Sequence, residues 1–572
     1  MNRATISRLY NYLLLYKHHF LATTVVLILA IGADLLVPYV IKHILDNYVE
    51  GGLQIGLFTP VYGLLALILI AGFLNFSHEY LFSKYTINLV EKIRNDLVQY
   101  INMLPKSFFD KTPTGEIINK ITNESMQIKD AFDNFLGGFV VSLLQLIGIY
   151  IILILINPYY ALISLIIPGI LLTVNYIINR PIQRYISIIQ EYLNKLNILF
   201  VDIVKNFLLI RLNGVENQLN NEYKTYNDTI YKNMIKRMHI LHISDVNFNG
   251  LFRGVLIAFT ILYFGEGIIE GEYSVGVLYL LIEYTRRIFL IFRGINSQWV
   301  NSLTSIEAAN RVFSVYENYQ PETRPTLTKK IREGKITFKQ VNFSYDNNRE
   351  ALKDISLTIN PGEKVAIVGQ TGSGKSTIVN LLLGFYTPKE GNILVDDTII
   401  TNLDMNYLRD QISYVDQHSY EFDMVYLNEL NHTQKEKLKE TLHRLGSTNL
   451  IDKINQKNQS KIEELSSGEK QLITIALALL KESKLIILDE ATSSQDVETE
   501  RKVFEILAQE SKNKTLIMIS HRLSTVRNAN KIFVMGGGML KEKGNHLELM
   551  NKQGFYYKLT TKETSRVNTI EK

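Results

Sequence analysis

One glycine-rich stretch of the chain has the residue types and spacing that bind a phosphate group. It lies between an apolar run suited to a buried strand, Val365–Val368, and a helical run, Ile378–Leu383, and it reads Gly369-Gln370-Thr371-Gly372-Ser373-Gly374-Lys375-Ser376-Thr377. The glycines allow backbone N–H groups to converge on phosphate oxygens, and the following helix points its positive end at the same anion. Lys375 would reach the β- and γ-phosphates, and Ser376 would offer its hydroxyl to Mg²⁺. The pattern predicts a phosphate-loop nucleotide enzyme, a class that includes kinases and GTPases.

A second predicted strand ends in two adjacent carboxylates. The run Leu485–Leu488 is apolar and is followed by Asp489 and Glu490. A buried strand that ends in aspartate beside a phosphate loop fits a second contact to magnesium, and Glu490 is then the candidate that orients or deprotonates the attacking water. The alternative is a helix N-terminus that happens to be acidic. The phosphate loop nearby in the chain favours the catalytic interpretation.

Four further elements narrow the class of nucleotide enzyme. The stretch Leu465-Ser466-Ser467-Gly468-Glu469 stands just before a helical run, Lys470–Leu480, that leads into the Asp489 strand. Three single residues lie at or just after the ends of predicted strands: Tyr345, Gln417 after the strand Ile412–Val415, and His521 after the strand Thr515–Ile519. Each alone would be ordinary, because a tyrosine that ends a strand or a histidine on a surface usually has no special role. Their order and spacing around two nucleotide motifs make coincidence a poor explanation.

Together these elements resemble the ATP-binding cassette of ABC proteins, and the resemblance extends over essentially the whole chain. It implies that Ser466-Ser467-Gly468-Glu469 is the signature motif, which contacts ATP. Gln417 then corresponds to the family's Q-loop glutamine, and His521 to its switch histidine. Tyr345 sits where the family stacks an aromatic ring on adenine. The expected cofactors are ATP and Mg²⁺, and the expected contacts to the metal are Ser376, Gln417 and Asp489.

The chain departs from the family pattern at several places. The signature has Ser467 where glycine is usual and Glu469 where glutamine is usual. The stretch Ser493-Ser494-Gln495-Asp496 replaces the common Ser-Ala-Leu-Asp, and Lys457–Glu464 lacks the usual Gly-Glu-x-Gly. About fifty residues separate Gln417 from the signature, which indicates a trimmed helical subdomain. A side chain at Ser467 could crowd the γ-phosphate, or the chain could pair with a different subunit. Because the phosphate-loop lysine, both strand-end acids and the switch histidine are present, we predict an active site and a homodimer.

The N-terminal half of the chain has the pattern of a membrane domain. Hydrophobic residues make up 47% of the whole chain. Before residue 300, six apolar stretches approach the length of about twenty residues that a helix needs to cross the hydrocarbon core. They are Phe20–Ile44, Phe58–Leu81, Leu136–Ile156, Tyr159–Ile178, Leu241–Phe264 and Val275–Ile295.

Basic residues predict the orientation of these spans. No lysine or arginine occurs at positions 43–83, 130–179 or 254–285, whereas 84–129 and 180–253 are rich in both. Under the positive-inside rule the two basic segments and both termini are cytoplasmic, in a multi-pass protein of the cell membrane. The alternative, long core helices of a soluble protein, gives no reason for this asymmetry. Met1–His19 is predicted to be an amphipathic helix on the inner membrane face, without a cleaved signal peptide.

These patterns predict two domains and exclude some classes of protein. An all-α six-helix transmembrane domain is expected at 1–318, a proline-containing linker at 319–333, and an α/β P-loop nucleotide-binding domain at 334–572, where strands and helices alternate as in a parallel sheet. The chain has no cysteine, which excludes disulfides and thiolate metal sites. Its net charge of +5, with both signs mixed throughout, does not resemble a nucleic-acid binder.

The order of the two domains resembles the half-transporters of bacterial ABC exporters. In that family two chains sandwich two ATP molecules, each between the phosphate loop of one chain and the signature of the other. The resemblance therefore implies a second half-transporter as partner, and one six-helix chain is also too few to enclose a pathway. Short coupling helices transmit the nucleotide state to the spans, and Phe109–Lys120 and Phe207–Glu216 are similar to the first and second of them.

The cargo is the least determined part of the prediction. The sixth span carries four charged residues, Glu283, Arg286, Arg287 and Arg293. One hypothesis places some of them in a basic inner cavity, since a charge facing lipid costs about 2.5–3.5 kcal/mol or more. The other is that the helix leaves the bilayer early and these residues are solvated or pair with each other. We expect ATP-driven efflux of a drug, lipid or peptide, in contact with membrane lipid. A cassette protein that gates a channel and a nutrient importer are the alternatives.

Overall fold

The chain forms two compact units. The computed structural model describes residues 3–50, 58–241, 249–322, 331–346, 350–416, 430–447, 450–451, 465–491, 497–510, 514–520 and 526–561. The first unit comprises residues 1–103 and 112–320, and the second comprises residues 104–111 and 321–572. The short segment 104–111 therefore belongs with the C-terminal unit, although the chain on either side of it belongs to the first.

The first unit is built of helices, and several are far longer than the roughly twenty residues that span a bilayer. They are α1 Arg3–Leu15, α2 Lys17–Ile44, α3 Phe58–Ile101, α5 Thr114–Asn119, α6 Ser125–Phe132, α7 Val141–Ile156, α8 Pro158–Lys205, α9 Phe207–Asn213, α10 Glu216–Leu241, α11 Asn249–Ile269 and α12 Val275–Asn318; α4, Lys106–Lys111, lies in the second unit. Turns of π-helix extend α2 at Leu45–Glu50 and join α5, α6 and α7 at Lys120–Glu124 and Asp133–Val140.

Four helices in the described part of the chain are long and apolar enough to cross a membrane: Lys17–Asn47, Phe58–Ile101, Thr114–Ile156 and Gly250–Ile269. They contain the first, second and third predicted spans and most of the fifth. The other two predicted spans lie within α8 and α12. Like α3, α8 and α12, α11 extends beyond its predicted span, through Gly265 and Gly267 to Ile269. The predicted span begins at Leu241, which ends α10, and its residues 242–248 lie outside the described part of the chain.

A tight turn at Asn157 and Pro158 sets the start of α8. Asn157 is extended, and its side-chain oxygen accepts a hydrogen bond from the Tyr160 N–H at 3.0 Å, while Pro158 occupies the first helical position. Both are standard devices for starting a helix. The Tyr160 hydroxyl is then buried between Thr260 of α11 and Thr285 of α12, at 2.7 and 2.6 Å. One side chain therefore joins three helices of the first unit.

The N-terminal helix α1 is bonded to the unit on one side and exposed on the other. The Tyr85 hydroxyl donates to the Leu13 carbonyl at 2.9 Å, and the Tyr12 hydroxyl donates to the Asp96 carboxylate at 3.0 Å. The opposite side presents Ile6, Tyr10 and Leu14 to solvent. These three residues follow a spacing of four and form one apolar stripe of an amphipathic helix.

The second unit contains two sheets. Its strands are β1 Ile336–Phe343, β2 Leu352–Ile359, β3 Lys364–Gly369, β4 Glu390–Val395, β5 Thr398–Ile399, β6 Ile412–Val415, β7 Leu485–Asp489, β8 Thr515–Ile519, β9 Lys531–Gly536 and β10 Met539–Gly544. A four-stranded antiparallel sheet has the order β2-β1-β4-β5. A six-stranded sheet has the order β10-β9-β3-β8-β7-β6, and all its pairs are parallel except β10 with β9.

Helices of the second unit flank these strands. They are α13 Lys375–Leu382, α14 Met405–Asp410, α15 His432–Arg444, α16 Ser467–Leu480, α17 Val497–Glu510 and α18 His546–Asn551. All five residues of β7 and of β8 are buried, as expected for a parallel sheet covered on both faces. The predicted α/β domain with a parallel sheet is confirmed. Because β3, β7 and β8 are adjacent and parallel, their carboxyl ends meet at one edge, which is where such sheets bind ligands.

Candidate nucleotide-binding site

The phosphate loop connects β3 to α13, and two of its glycines cannot be replaced without a clash. Gly374 has φ 102° and caps α13, and a Cβ added there would lie 2.7 Å from Leu352 Cδ2. A Cβ at Gly369 would lie 2.4 Å from the Met535 carbonyl oxygen. Because Gly374 serves as the cap, α13 begins at Lys375, so the sequence-based start at Ile378 is three residues too late and the predicted end at Leu383 is one residue too far. Lys375, Ser376 and Thr377 therefore form its first turn, which places their N–H groups at the positive end of the helix.

Lys375 is buried and points back into its own loop. Its Nζ donates to the carbonyl oxygens of Gly369 at 2.9 Å and Gln370 at 3.1 Å. Burial lowers the pKa of the Lys375 ammonium, while Glu490 and Asp489 oppose that shift. The Lys375 ammonium is therefore held beside the loop by two uncharged carbonyl oxygens. A phosphate is a stronger, charge-assisted acceptor for the same donor.

A cavity of about 980 Å³ opens in front of the loop. Its lining contains Gly372, Gly374, Lys375, Ser376, Thr377 and Tyr345 of the predicted site, together with residues that the sequence motifs missed: Asp346, Glu350, Ala351, Lys353, Gly537 and Gly538. A cavity of this volume lies at the upper end of the range of small-molecule sites. The structure thus brings the predicted loop and the predicted adenine-side tyrosine to one cavity.

A glycine turn that the sequence analysis missed supports the phosphate loop from behind. Gly537 and Gly538, between β9 and β10, have φ values of 60° and 78°. The Gly538 N–H donates to the Ser373 carbonyl at 3.2 Å, and the Gly538 carbonyl accepts from the Lys353 N–H at 2.8 Å. A Cβ at Gly538 would lie 2.8 Å from the Ala351 carbonyl oxygen. The signal that could have found this turn is the run of three glycines, Gly536–Gly538.

Tyr345 lies at the rim of the cavity with 40% of its surface exposed. Its hydroxyl donates to Thr377 Oγ1 at 3.2 Å and accepts from Asn380 Nδ2 at 3.1 Å. The ring meets Phe343 and Tyr386 edge-on, with centroids 5.0 and 5.1 Å apart. One edge and the hydroxyl are thereby fixed, and the ring remains available for stacking.

The two predicted acids stand at the end of β7. Burial first, and then the nearby carboxylates Asp416 and Glu490, raise the pKa of Asp489 to about 6. Glu490 adopts φ 50°, unusual for a side chain other than glycine, and its N–H donates to the Ile519 carbonyl at 2.9 Å. Backbone strain of this kind is frequent at active sites. The strand-end interpretation therefore agrees with the fold.

The donor set fits Mg²⁺ brought in with a nucleotide. A bound cation would offset the repulsion between Asp489 and the neighbouring carboxylates that raise its pKa. Ser376 supplies an exposed hydroxyl in the first turn of α13. Among the residues that the structure describes, no group of three or more His, Cys, Asp or Glu side chains is arranged to hold a metal ion. Mg²⁺ commonly binds through one or two carboxylates together with phosphate oxygens and waters. Asp489 and Ser376 therefore fit Mg²⁺ that arrives bound to a nucleotide.

The signature stretch forms the start of α16. The helix begins at Ser467, three residues before the predicted Lys470, and Ser466 is its N-cap. Ser466 Oγ accepts from the Glu469 N–H at 3.2 Å, and Glu469 Oε2 accepts from the Ser466 N–H at 2.8 Å and from its hydroxyl at 3.1 Å. This is a capping box. Ser466 and Ser467 are exposed, and Gly468 is half-buried.

Several predicted site residues lie outside the described part of the chain. They are Gln417 and His521, and with them the departures at Ser493–Asp496 and Lys457–Glu464. The strands that precede the two residues, β6 and β8, both end at the same edge of the sheet as β7. Their assignment as Q-loop glutamine and switch histidine stays a prediction.

The two predicted coupling stretches form short helices. The first stretch, Phe109–Lys120, is divided between α4, in the second unit, and α5, in the first. The second stretch is α9, which ends at Gly214 in the left-handed conformation; Arg211 pairs with Glu216 at 3.1 Å just beyond. The apolar side chains of α9 are exposed: Phe207, Leu208, Leu209 and Leu212.

Three of the four charged residues of the sixth span, Glu283, Arg286 and Arg287, pair with one another. Glu283 accepts two hydrogen bonds from Arg286, at 2.9 and 2.7 Å, and one from Arg287, at 3.0 Å. Arg287 also donates to the Asp34 carbonyl of α2 at 3.0 Å, and the Asp34 carboxylate accepts from Asn75 of α3 at 3.0 Å. The formal charges of Asp34, Glu283, Arg286 and Arg287 sum to zero. Arg286 and Arg287 therefore follow the second hypothesis, pairing, although half of the Arg286 side chain remains exposed.

Known proteins with the same layout are membrane transporters. The family described as "ABC transporter transmembrane region" matches residues 20–291, and the one described as "ABC transporter" matches residues 352–493. A "Probable multidrug resistance ABC transporter ATP-binding/permease protein" of Bacillus subtilis (strain 168) is 31% identical over 515 residues, which cover 88% of this chain and 76% of that protein.

Two further comparisons cover most of both chains. A "Fatty acid ABC transporter ATP-binding/permease protein" of Mycobacterium bovis is 28% identical over 508 residues, 87% of this chain and 80% of that one. Among solved structures, a "bacterial Atm1-family ABC exporter with ATP bound" superposes with a TM-score of 0.81 at 21% identity and covers 96% of this chain and 98% of its own. That likeness shows the same fold.

Proposed function

The chain belongs to the ABC transporter family, and we propose that it is an exporter half-transporter that moves an amphipathic or hydrophobic cargo out of the cytoplasm or the inner leaflet. The family is one of ATP-hydrolysing membrane transporters. The observation that carries the proposal is the phosphate loop at the carboxyl end of β3, with Lys375 and the Asp489 strand in the same chain as apolar helices long enough to cross a membrane.

Its catalytic chemistry would use the residues at that edge of the sheet. Lys375 exchanges its two backbone carbonyl partners for β- and γ-phosphate oxygens, and Glu490 orients or deprotonates the attacking water. Ser376 and Asp489, with Gln417, would hold Mg²⁺, which supplies charge neutralisation on the phosphates when it is bound. His521 would contact the γ-phosphate region as the switch histidine. Tyr345 would stack on adenine.

A homodimer would supply the missing half of each site. The N–H groups and hydroxyls of Ser466–Gly468 are donors at a helix start, and a partner's γ-phosphate is an anion that such a start attracts. Ser466 and Ser467 are exposed, as a surface that receives a second chain must be before it is covered. The exposed apolar side chains of α9 are consistent with a coupling helix that presses on the partner's cassette. ATP would close the pair, and its hydrolysis would release them. A heterodimer with another half-transporter is the alternative.

The spans and the relatives support the proposed cargo class. Two relatives are named for multidrug resistance and for fatty acid transport. Amphipathic cargo fits a pathway in which charged residues sit among apolar helices. Arg286 binds Glu283 through Nε and Nη2, and its half-exposed guanidinium has further N–H donors that an anionic headgroup could accept from. We place the protein in the cell membrane as a multi-pass protein with both termini in the cytoplasm.

Transport into inside-out vesicles tests the proposal. Vesicles that contain the full chain should accumulate cargo from a panel of lipids, drugs and peptides when ATP is added, and the Glu490→Gln variant should not. The variants Arg286→Ala and Arg293→Ala should change which cargo is accumulated. ATP turnover without accumulation of any member of the panel would favour a channel gate or a regulator. Import in the opposite direction would overturn the exporter assignment.

A further inference from the structure

A line of hydrogen bonds leads from segment 104–111 to the nucleotide cavity. Lys106 Nζ donates to Asn380 Oδ1 at 2.9 Å. Asn380 Nδ2 donates to the Tyr345 hydroxyl at 3.1 Å, and that hydroxyl donates to Thr377 Oγ1 in the phosphate loop at 3.2 Å. Asn380 lies on α13, the helix that the phosphate loop begins. All four residues belong to the second unit.

A second line of contacts leads from α4 to the Tyr345 ring, through Tyr386. The carboxylate of Asp110 accepts from the Tyr386 hydroxyl, and the Tyr386 ring meets the Tyr345 ring edge-on at 5.1 Å. Lys106 and Asp110 are four residues apart on α4, so they lie on one face of that helix. The Lys106 ammonium also lies 5.1 Å from the centre of the Phe385 ring, close enough for a cation–π contact.

These contacts decide how freely the Tyr345 ring can move. The ring is held at its hydroxyl by two hydrogen bonds and along one edge by Tyr386, while 40% of the residue is exposed. A ring that is fixed before a base stacks on it loses less freedom when the base arrives. Without the Asn380 amide, the hydroxyl keeps only the longer bond to Thr377.

We propose that Asn380 is a positioning residue for adenine, and that Lys106 orients it, so that ATP affinity depends on segment 104–111. The inference rests on the proposed function, in which Tyr345 stacks on the base. Asn380 can serve both neighbours at once because its amide has one accepting oxygen and two donated protons. The oxygen binds the ammonium of Lys106 and the nitrogen binds the phenol of Tyr345.

Nucleotide binding to the full chain in lipid nanodiscs tests the proposal. The variants are Asn380→Ala and Lys106→Met, with Lys552→Met as the matched control, since Lys552 is an exposed lysine of the second unit outside both predicted coupling stretches. We expect the dissociation constant for ATP to rise about three- to tenfold in the first two variants and to stay unchanged in the control, because each removes one modest hydrogen bond. The maximal rate of hydrolysis should stay within about twofold, since the phosphate loop and Glu490 are untouched.

Tripolyphosphate separates a positioning role from a loosened phosphate loop. Its affinity should be equal in the wild type, Asn380→Ala and Lys106→Met, because it has no base to stack. Adding Tyr345→Phe to Asn380→Ala should weaken ATP binding no further than Tyr345→Phe alone, as expected for one shared contact. Equal loss of ATP and tripolyphosphate affinity, additive effects, or unchanged ATP affinity in both variants would overturn the inference. A wild-type chain that binds no ATP would instead overturn the proposed function.

Discussion

Replacing Glu469 with glutamine should make ATP more effective at closing the proposed dimer. The Glu469 carboxylate accepts from both the N–H and the hydroxyl of Ser466, and these are donors that a partner's γ-phosphate would need. The negative charge of the Glu469 carboxylate therefore lies close to the place where the partner's γ-phosphate would bind. Glutamine at the same position of a capping box keeps the reciprocal hydrogen bonds and removes the charge. The substitution therefore changes electrostatics while it preserves the start of α16.

The size of the effect follows from the distances. Glu469 Oε2 lies 3.1 Å from Ser466 Oγ. A phosphate oxygen bound to that hydroxyl at about 2.7 Å would lie up to about 6 Å from the carboxylate. Two like charges at that separation repel by about 0.7 kcal/mol in water and by about 3 kcal/mol at an effective dielectric constant of 20. Since about 1.4 kcal/mol corresponds to a factor of ten, the ATP concentration for half-maximal hydrolysis should fall by about threefold to a hundredfold.

Steady-state ATP hydrolysis in lipid nanodiscs measures this change. Glu469→Gln should lower the half-saturating ATP concentration, and the difference from wild type should shrink as salt is raised, because salt screens a partly exposed charge. Glu469→Ala is the control for the cap: it removes the charge too, but it also lowers the thermal midpoint. An unchanged or higher half-saturating concentration in Glu469→Gln, with an unchanged thermal midpoint, would refute the reasoning.

Three further substitutions have expected outcomes. Ser467→Gly removes the side chain that departs from the family signature, so the maximal hydrolysis rate should rise in the same assay, while glycine in the first turn of α16 lowers the thermal midpoint slightly. Gly538→Ala forces a Cβ to within 2.8 Å of a backbone carbonyl at φ 78°, so ATP affinity measured by titration should fall at least tenfold as the brace on Ser373 is lost. Tyr160→Phe removes a buried hydroxyl that lies within hydrogen-bond distance of Thr260 on α11 and Thr285 on α12. Its single proton serves one threonine at a time, because both threonines donate to backbone carbonyls, so the loss should destabilise the first unit by about 1 kcal/mol in a thermal melt.

Much of the cassette could be predicted from residue types because its central strands are continuous apolar runs. The sequence indicates strands at Ile412–Val415 and Thr515–Ile519, and β6 and β8 have the same bounds. The phosphate loop, with a strand before it and a helix after it, has the predicted context. Such strands are buried on both faces, so their composition alone distinguishes them from the surface elements around them.

Features that depend on contacts between distant residues could not be predicted. The helix starts at Lys375 and Ser467 depend on caps at the residues before them, and apolar periodicity begins only later. Segment 104–111 has a helical composition like its neighbours, yet it belongs to the second unit because Lys106 and Asp110 bind Asn380 and Tyr386. The brace from Gly538 and the pairing of Arg286 with Glu283 likewise require knowledge of which side chains meet.

Dimers of two different variants can show whether Glu469 acts on the partner's nucleotide. In a symmetric homodimer each departure from the family pattern is present at both sites. In the first dimer, one chain carries both Lys375→Ala and Glu469→Gln and the other chain is wild type. The intact phosphate loop of the wild-type chain then faces the glutamine-containing signature of the variant chain, and tight ATP binding should appear. If Lys375→Ala and Glu469→Gln are instead on opposite chains, the intact loop faces a wild-type Glu469, and affinity should stay at the wild-type level. The reverse ranking would mean that Glu469 acts on the nucleotide of its own chain, which contradicts the shared site.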